Sequence, residues 1–432
     1  MPTRRRNYNG CVNQTRPRIR DPLIRDGVRF AIERALIPAK SHPAYPGHFT
    51  VTVDGRHFGS TTTWPGLDSW EMAGAYLLLG ERELVRNYFA FVRAGQREDG
   101  NIPMAILPGD GPPWCADSYF RAVRYPQDVY EHRGQRWLGM FRHWQVEANP
   151  LSVLAAICYV LTADEIVTHG AADEAWLRDN LPSIDAAAGY VISRKGANGL
   201  VGGAGFYIEC PPRNQWDGIT QCYAIDAFSK LADMYAAVND SSGEARWSRE
   251  ADLLAETFRE TFWRGDHFAE YVHPTHGLVD LHGLSDVNFA AIGLDIATDE
   301  QAAIVWPKLT NERELWHGGM PTQLVSHPGA YQTWEHPEPL PFEHTNGPLY
   351  DVAAMGRVWY LESLACARMH AWDGLRESAR QVCVMGEQHG WQWHERYHAM
   401  PDGTARPAGP AGYCEYAAVL VRVVVGNVHH FI

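Results

Sequence analysis

The sequence predicts an all-α fold, an (α/α)6 toroid in which about twelve helices form a closed ring of hairpins. Apolar residues recur with helical spacing along most of the 432 residues. No Ser/Gly-rich or Pro-rich linker divides the chain, so we expect one domain. An open helical solenoid is the alternative, but it should show a repeat consensus and capping repeats, which this sequence lacks.

The connections between the helices alternate in character. Short ones such as Gly80-Glu81 alternate with long ones rich in Pro, Gly, Trp and His. Long loops inside a compact domain are usually functional, and a closed ring of hairpins would bring them to one face. We therefore expect a single catalytic domain over 1–432. Its active-site face is formed by a small β-hairpin and the connections 97–147, 196–216, 264–285, 309–347 and 390–410.

Local signals justify the elements in order. Asp21-Pro22 is typical of an N-cap followed by Pro at the first helical position, and predicts a helix to Leu36. Phe49 to Phe58 alternates around Asp54-Gly55 and predicts the hairpin. Residues 1–60 are thus an N-terminal arm, helix and hairpin packed on the toroid. The other predicted helices are 66–79, 82–95, 148–164, 172–193, 217–238, 242–263, 286–294, 298–308, 348–370, 373–389 and 411–426.

Composition excludes several classes of function. A formal net charge of −13 argues against a nucleic-acid partner, which needs a clustered basic surface. No apolar run is long enough to span a bilayer, and the N-terminus lacks a secretory pattern. The eight cysteines have no CxxC spacing, which is typical of reduced thiols, so we expect a cytoplasmic protein. The histidines lack tight ligand spacing, so no metal or other cofactor is expected, although a structural calcium stays open.

Two acids in aromatic surroundings suggest sugar chemistry. Trp216-Asp217 joins a Cys-Pro-Pro-Arg-Asn-Gln loop to a long helix, and Glu395 lies in Trp391-Gln-Trp-His-Glu-Arg-Tyr397. Glycoside hydrolysis needs one protonated carboxyl and one ionised carboxylate. Asp217 could instead only cap its helix, where the helix dipole lowers the pKa, whereas burial beside an indole raises it. The sequence leaves the direction of that shift open.

Further candidates lie in the other connections. The 16 Trp residues offer flat faces for sugar rings, although core packing is the alternative for most of them. Glu415 is a second candidate for the base, but it lies in the first turn of an apolar helix, where stabilising the helix dipole is the simpler role. The candidate substrate-binding residues are Trp64, Asp68, Trp70, Glu71, His143, Gln145, Trp216, Asn346, Tyr350, Trp393 and Tyr397.

The motifs resemble a known family when they are taken in order. The segments Trp64-Pro-Gly-Leu-Asp-Ser-Trp70, Asp99-Gly-Asn-Ile-Pro103, Trp216-Asp217, Thr345-Asn-Gly-Pro-Leu-Tyr350 and Glu395-Arg-Tyr397 extend over residues 60–426. Together they are similar to the six-hairpin glycosidases, most of all glycoside hydrolase family 63 and the related trehalase and amylo-glucosidase-like enzymes.

This resemblance implies an inverting hydrolase of α-linked glycosides, with Asp217 as the general acid and Glu395 as the general base. The chain departs from the family pattern in three places, one of which is Ile219, where the family has a Ser two residues after the Asp. Arg213-Asn-Gln stands where the family has Glu-Ser-Gly, and Tyr350 stands where it has Trp.

Three hypotheses follow for the function. The first is a glycosidase that acts on a small-molecule carbohydrate with Asp217 and Glu395. The second keeps the toroid but abstracts a carbon-bound proton, as a polysaccharide lyase or sugar epimerase does; a basic cleft lining would favour it. The third is a non-catalytic carbohydrate-binding protein, which would lack a buried carboxyl pair.

Overall fold

The computed structural model describes residues 19–40, 49–53, 63–108, 120–132, 135–145, 152–203, 206–336 and 347–432. The predicted hairpin after Phe49 lies outside these residues beyond Val53. Within the described ranges, twelve α-helices have eight or more residues. They are α1 Pro22–Ala31, α2 Leu67–Leu78, α3 Arg82–Arg93, α4 Leu154–Thr168, α5 Glu174–Ser193, α6 Gly218–Ala237, α7 Ser241–Phe262, α8 Asp286–Gly293, α9 Asp299–Asn311, α10 Gly356–Arg368, α11 Trp372–Gln388 and α12 Glu415–Gly426.

These helices form two concentric rings. The even-numbered helices form the inner ring, since each packs on the next and α12 packs on α2. The odd-numbered helices lie outside them, α3 against α2, α5 against α4 and so on, with α1 against α12 and α11. The predicted (α/α)6 toroid is therefore confirmed.

Sequence patterns explain which helices lie inside. Inner helix α6 is apolar on most of its surface, and almost every residue from Gly218 to Phe228 is buried. Outer helix α3 buries only the stripe Val85, Tyr88, Phe89 and Val92, the spacing of one helical face. At the start of α1, Asp21 accepts a hydrogen bond from the N–H of Leu23 at 2.8 Å, as the sequence predicts.

The order of the rings fixes where the long connections meet. Each inner helix from α2 to α10 is followed by a short connection to an outer helix, such as residues 79–81 or 238–240, at one end of the toroid. Each outer helix from α3 onward returns to the other end and is followed by a long connection to the next inner helix. The long connections and the N-termini of the inner helices therefore share one end of the toroid, the predicted active-site face.

The long connections contain β-structure that the sequence analysis treated as loops. They form three antiparallel sheets of three strands each among the described residues. The strands are β1 Ala105–Pro108, β2 Phe120–His132, β3 Gln135–Gln145, β4 Trp216–Asp217, β5 Tyr271–His273, β6 Gly277–Val279, β7 Ala354–Met355, β8 His394–Ala399 and β9 Ala405–Ala411. Strand β7 and the last residue of β9, Ala411, occupy positions predicted as helix, so α10 and α12 begin later than expected.

The buried carboxyl of Glu362 makes the stability of the fold depend on pH. Glu362 of α10 is buried and accepts a hydrogen bond from the Thr322 hydroxyl, and burial raises its pKa to about 8. When the pKa of a carboxyl is higher in the folded chain than in the unfolded chain, the free energy of unfolding falls as the pH rises from the unfolded pKa to the folded pKa.

We therefore expect Glu362→Gln to flatten the fall in the free energy of unfolding between pH 5 and pH 8. Urea unfolding at both pH values measures this. Glu387→Gln, an exposed residue of α11, is the matched control. Equal slopes in the wild type and Glu362→Gln would contradict the assignment.

Candidate active site

A buried guanidinium, Arg213, organises the residues at the start of α6 and α8. Its Nε donates to Glu270 Oε1 at 2.6 Å, its Nη2 to Asp286 Oδ1 at 2.8 Å and its Nη1 to Asp217 Oδ1 at 3.2 Å. Arg213 is 1 % exposed, so all three ion pairs lie away from water. Asp217 ends β4 and caps α6, and Asp286 opens α8. The N-termini of two inner helices therefore place both aspartates on one cation.

The same network extends to a histidine. His282 Nδ1 is hydrogen-bonded to Glu270, and its Nε2 lies 3.2 Å from Glu335 Oε2. Burial alone would lower the pKa of His282, but its bonds to the two carboxylates raise it to about 9. The Tyr331 ring stacks on the imidazole at 3.8 Å. We name this set the Arg213 cluster: Arg213, Asp217, Glu270, His282, Asp286 and Glu335.

The structure gives the direction of the Asp217 pKa shift, which the sequence left open. Asp217 Oδ2 accepts the N–H of Thr220 at 3.2 Å, so the side chain does cap α6. Burial nevertheless raises the pKa of Asp217 to about 7, although the positive charge of Arg213 acts in the opposite direction. Four carboxyls share two cations in the Arg213 cluster, so a proton on Asp217 lessens the repulsion among them.

A second buried guanidinium lies at the start of α10. Arg357 Nη2 contacts Glu415 Oε2 at 2.5 Å, Asp68 Oδ1 at 3.1 Å and Glu395 Oε1 at 3.7 Å. Glu71 lies among the same charges: burial, Glu415 and Asp68 raise its pKa well above the usual range.

Arg396 completes this second set. Its Nε donates to Asp351 Oδ1 at 2.8 Å, and its Nη1 pairs with Glu395. The Tyr350 ring lies 4.3 Å from its guanidinium. We name the set the Arg357 cluster: Asp68, Glu71, Asp351, Arg357, Glu395, Arg396 and Glu415.

Tyr207 joins the two clusters. Its hydroxyl donates to Asp286 of the Arg213 cluster, and its ring lies 5.8 Å from the guanidinium of Arg357. Asp351 of the Arg357 cluster also accepts the N–H groups of Glu209 and Cys210 at 2.7 and 2.8 Å. The segment from Tyr207 to Arg213 therefore connects both clusters, and the two candidate catalytic carboxyls lie in adjoining parts of one site.

The candidate acid and base differ in exposure. The Asp217 side chain is 0 % exposed, whereas the Glu395 side chain is 15 % exposed and that of Asp68 is 16 % exposed. Glu415, the alternative base, is enclosed by Arg357, and burial raises its pKa to about 7. Of the two candidates for the base, Glu395 is the one that solvent reaches.

The sequence-predicted substrate contacts separate into two groups. Asp68 and Trp216 are partly exposed, whereas Tyr350 is buried beside Arg396. Asn346 lies outside the described residues, and Gln145 is placed only as the last residue of β3. The remaining residues are buried: Trp64, Trp70, Glu71, His143, Trp393 and Tyr397.

Contacts of three buried aromatic residues show core packing. Trp393 Nε1 donates to the carbonyl of Val382 at 2.9 Å, and Trp70 packs edge-on against Tyr223. His143 in β3 is buried with its ring 6.2 Å from that of Phe141, and burial lowers its pKa to about 4. These three positions contribute to packing around the site in this structure.

Sequence reasoning missed the residues that connect the site. It treated Arg213 only as a departure from a family pattern, and it gave no role to Glu270, Asp351 or Arg357. A usable signal existed for some of them. Asp286 and Arg357 open apolar inner helices, where a charged residue has no apolar packing role.

Further absences concern the described part of the chain alone. No helix there is long and apolar enough to cross a bilayer. No group of three or more His, Cys, Asp or Glu side chains in those ranges has the arrangement of a metal site. The six described cysteines are buried, and no disulfide joins any two of them.

Comparison with solved structures identifies the architecture. The structure superposes on the GH78 rhamnosidase of Bacillus sp. GL1 with a TM-score of 0.62 and 13% identity, over 95% of this chain and 35% of that one. It superposes on the GH63 mannosylglycerate hydrolase of Thermus thermophilus with a TM-score of 0.58 and 11% identity, over 93% and 99% of the two chains. The fold is that of the six-hairpin glycosidases.

A rhamnosidase from Klebsiella oxytoca has a TM-score of 0.56 at 12% identity, over 94% of this chain and 64% of its own. This chain therefore spans about a third of the length of the Bacillus enzyme and just under two thirds of the Klebsiella enzyme. No family model and no curated protein matches the sequence. At these identities the likeness establishes a shared fold, and function has to be inferred from the site.

Proposed function

We propose that this chain is a glycoside hydrolase that cleaves an α-linked glycoside or oligosaccharide with inversion at the anomeric carbon. Asp217 donates a proton to the leaving oxygen, and Glu395 accepts a proton from the attacking water. One observation carries the proposal. Two carboxyls in adjoining clusters have contrasting surroundings, Asp217 buried with a pKa near 7 and Glu395 partly exposed between two guanidinium groups.

The surroundings of Asp217 suit a general acid. A proton donor must hold its proton at the working pH, and a raised carboxyl pKa provides this. Because Asp217 is enclosed in the structure, the proposal also requires the residues around it to shift when a glycoside binds. Such closures and openings are common steps in enzyme turnover.

The surroundings of Glu395 suit a general base. Its carboxyl is paired with Arg357 and Arg396, and its partial exposure gives water access. Asp217 and Glu395 belong to different clusters, which Tyr207 joins through its contacts with Asp286 and Arg357. That arrangement fits the wider carboxyl separation of inverting enzymes, roughly 6.5–9.5 Å, better than a retaining pair.

The absence of a disulfide among the six described cysteines also supports the cytoplasmic location expected from the sequence, because disulfides are rare in reducing compartments. We propose that location, with a small-molecule carbohydrate as the substrate.

A panel of aryl α- and β-glycosides and α-linked disaccharides tests the proposed function. Purified protein is assayed for sugar release beside the Asp217→Asn variant. Hydrolysis of an α-glycoside that the variant loses is the expected result. Sugar binding without turnover across the whole panel would favour the non-catalytic alternative.

The pH dependence of kcat/KM provides a separate prediction. Because the acid must be protonated and the pKa of Asp217 is about 7, we expect kcat/KM to fall as the pH rises above that value. A profile measured from pH 5 to pH 9 on the best substrate of the panel tests this. Constant kcat/KM up to pH 9 would remove Asp217 from the role of acid.

Gly409 provides a test of the position of the base. It lies in β9 at a φ of +74°, and a Cβ there would lie 2.8 Å from Glu395 Oε2. We expect Gly409→Ala to displace the Glu395 carboxylate and to lower kcat about 10–100-fold.

Gly403→Ala is the matched control for this variant. Gly403 lies in the same hairpin at a φ of +83°, but a Cβ there would meet nothing within 4 Å. Both variants strain the backbone similarly, so an equal loss of kcat would mean that strain, and not the displacement of Glu395, is responsible.

A further inference from the structure

We infer that the site selects glycosides whose bound sugar is neutral or positively charged and rejects those that bear a carboxylate. The inference rests on the proposed function and adds the charge class of the substrate. It also opposes the lyase hypothesis, since a uronate lyase must neutralise a substrate carboxylate.

The cations of the two clusters are already engaged by protein carboxylates. Arg213 contacts three of them at 2.6 to 3.2 Å, and Arg357 contacts three at 2.5 to 3.7 Å. Arg396 pairs with Asp351 and Glu395. His282 lies between Glu270 and Glu335. A substrate carboxylate would have to displace a protein carboxylate to reach any of these four cations.

Carboxyls also outnumber cations at the site. The cations are Arg213, His282, Arg357 and Arg396, and the carboxyls are Asp68, Glu71, Asp217, Glu270, Asp286, Glu335, Asp351, Glu395 and Glu415. Asp217, Asp286, Glu71 and Glu415 have raised pKa values. Five carboxylates still face four cations if all four of these groups are protonated, so the site stays negative.

One further cation lies on the sheet that carries Glu395 and Arg396. The exposed Arg406 on β9 lies opposite His398 and outside both clusters. Arg406 is therefore our candidate for the cation that would receive a substrate carboxylate if the inference were wrong.

The charge preference can be measured without knowing the sugar. Tris cation, neutral pentaerythritol and the anion of 2,2-bis(hydroxymethyl)propionic acid share a quaternary carbon that bears hydroxymethyl groups. Each is added at 0.2 M, at pH 7 and at equal ionic strength, and the shift in Tm is recorded, because a ligand of the folded state raises Tm. We expect Tris to raise Tm most and the anion least.

Two variants test whether the difference in Tm shift arises at the Arg357 cluster. Asp68→Asn removes one negative charge beside Arg357 and should reduce the difference in Tm shift between Tris and the anion. Asp373→Asn removes a charge at the start of outer helix α11, at the opposite end of the toroid, and should leave that difference unchanged.

Equal shifts, a larger shift with the anion, or a difference that Asp68→Asn leaves intact would each overturn the inference. Arg406→Gln identifies the cause if the anion binds best, because it should then abolish that binding. The assay does not depend on turnover. Failure of the proposed function would instead appear as an absence of hydrolysis in the glycoside panel.

Discussion

Replacing Asp217 with Asn is expected to lower kcat on the best substrate by about two to four orders of magnitude, the usual contribution of a positioned general acid. The amide keeps the size of the side chain and can still accept the N–H of Thr220, so α6 stays capped. The loss should be smallest for aryl glycosides with acidic leaving groups, because these need little protonation.

Glu395→Gln should cause a loss of similar size by a different route. A glutamine cannot accept the proton of the attacking water, so leaving-group acidity should not restore turnover. Glu362→Gln is the matched control, since it replaces a buried glutamate outside both clusters and should leave kcat unchanged. Near-normal kcat in either catalytic variant would exclude that residue from the mechanism.

Removing Arg213 is expected to have the largest effect on stability. Its guanidinium is 1 % exposed and compensates Asp217, Glu270 and Asp286. Breaking a buried ion pair by deleting one partner typically costs about 3–5 kcal/mol, because the remaining charges stay buried. We expect Arg213→Leu to lower the free energy of unfolding by at least this amount, as measured by urea unfolding at pH 7.

Two comparisons make the Arg213 prediction specific. Arg25→Leu removes an arginine whose side chain is 56% exposed, and should cost well under about 1 kcal/mol. The loss in Arg213→Leu should shrink at low pH, where the carboxylates left behind become protonated. A loss below about 1 kcal/mol at pH 7 would show that Arg213 does not hold the site together.

The helical frame was predictable because its signal is local. The stripe Val85, Tyr88, Phe89 and Val92 of α3 and the N-cap Asp21 of α1 can be recognised within a few residues of sequence. The strands could not be predicted in the same way, because the strands that pair with them are distant in sequence. Strand β4 pairs with β5 although two helices lie between them in the sequence. Because β4 has only two residues, its own sequence contains no pattern that predicts this pairing.

The site was predictable only in part, for a related reason. Asp217 and Glu395 lie beside tryptophans in Pro- and Gly-rich connections, so their neighbours in sequence pointed to them. The ion pairs of Arg213 and Arg357 bring together residues from separate inner helices, which only the closed ring makes neighbours. The number of tryptophans did not show which of them line a cleft and which pack in the core, and the candidates Trp70 and Trp393 are buried.

The most direct measurement is the configuration of the first product. Hydrolysis of an α-linked substrate from the panel is followed by proton NMR from the first minutes, before mutarotation mixes the anomers. The proposed pair Asp217 and Glu395 predicts that the β anomer forms first. An α anomer at the start would mean retention of configuration and would contradict the assignment of Glu395 as a base that activates water.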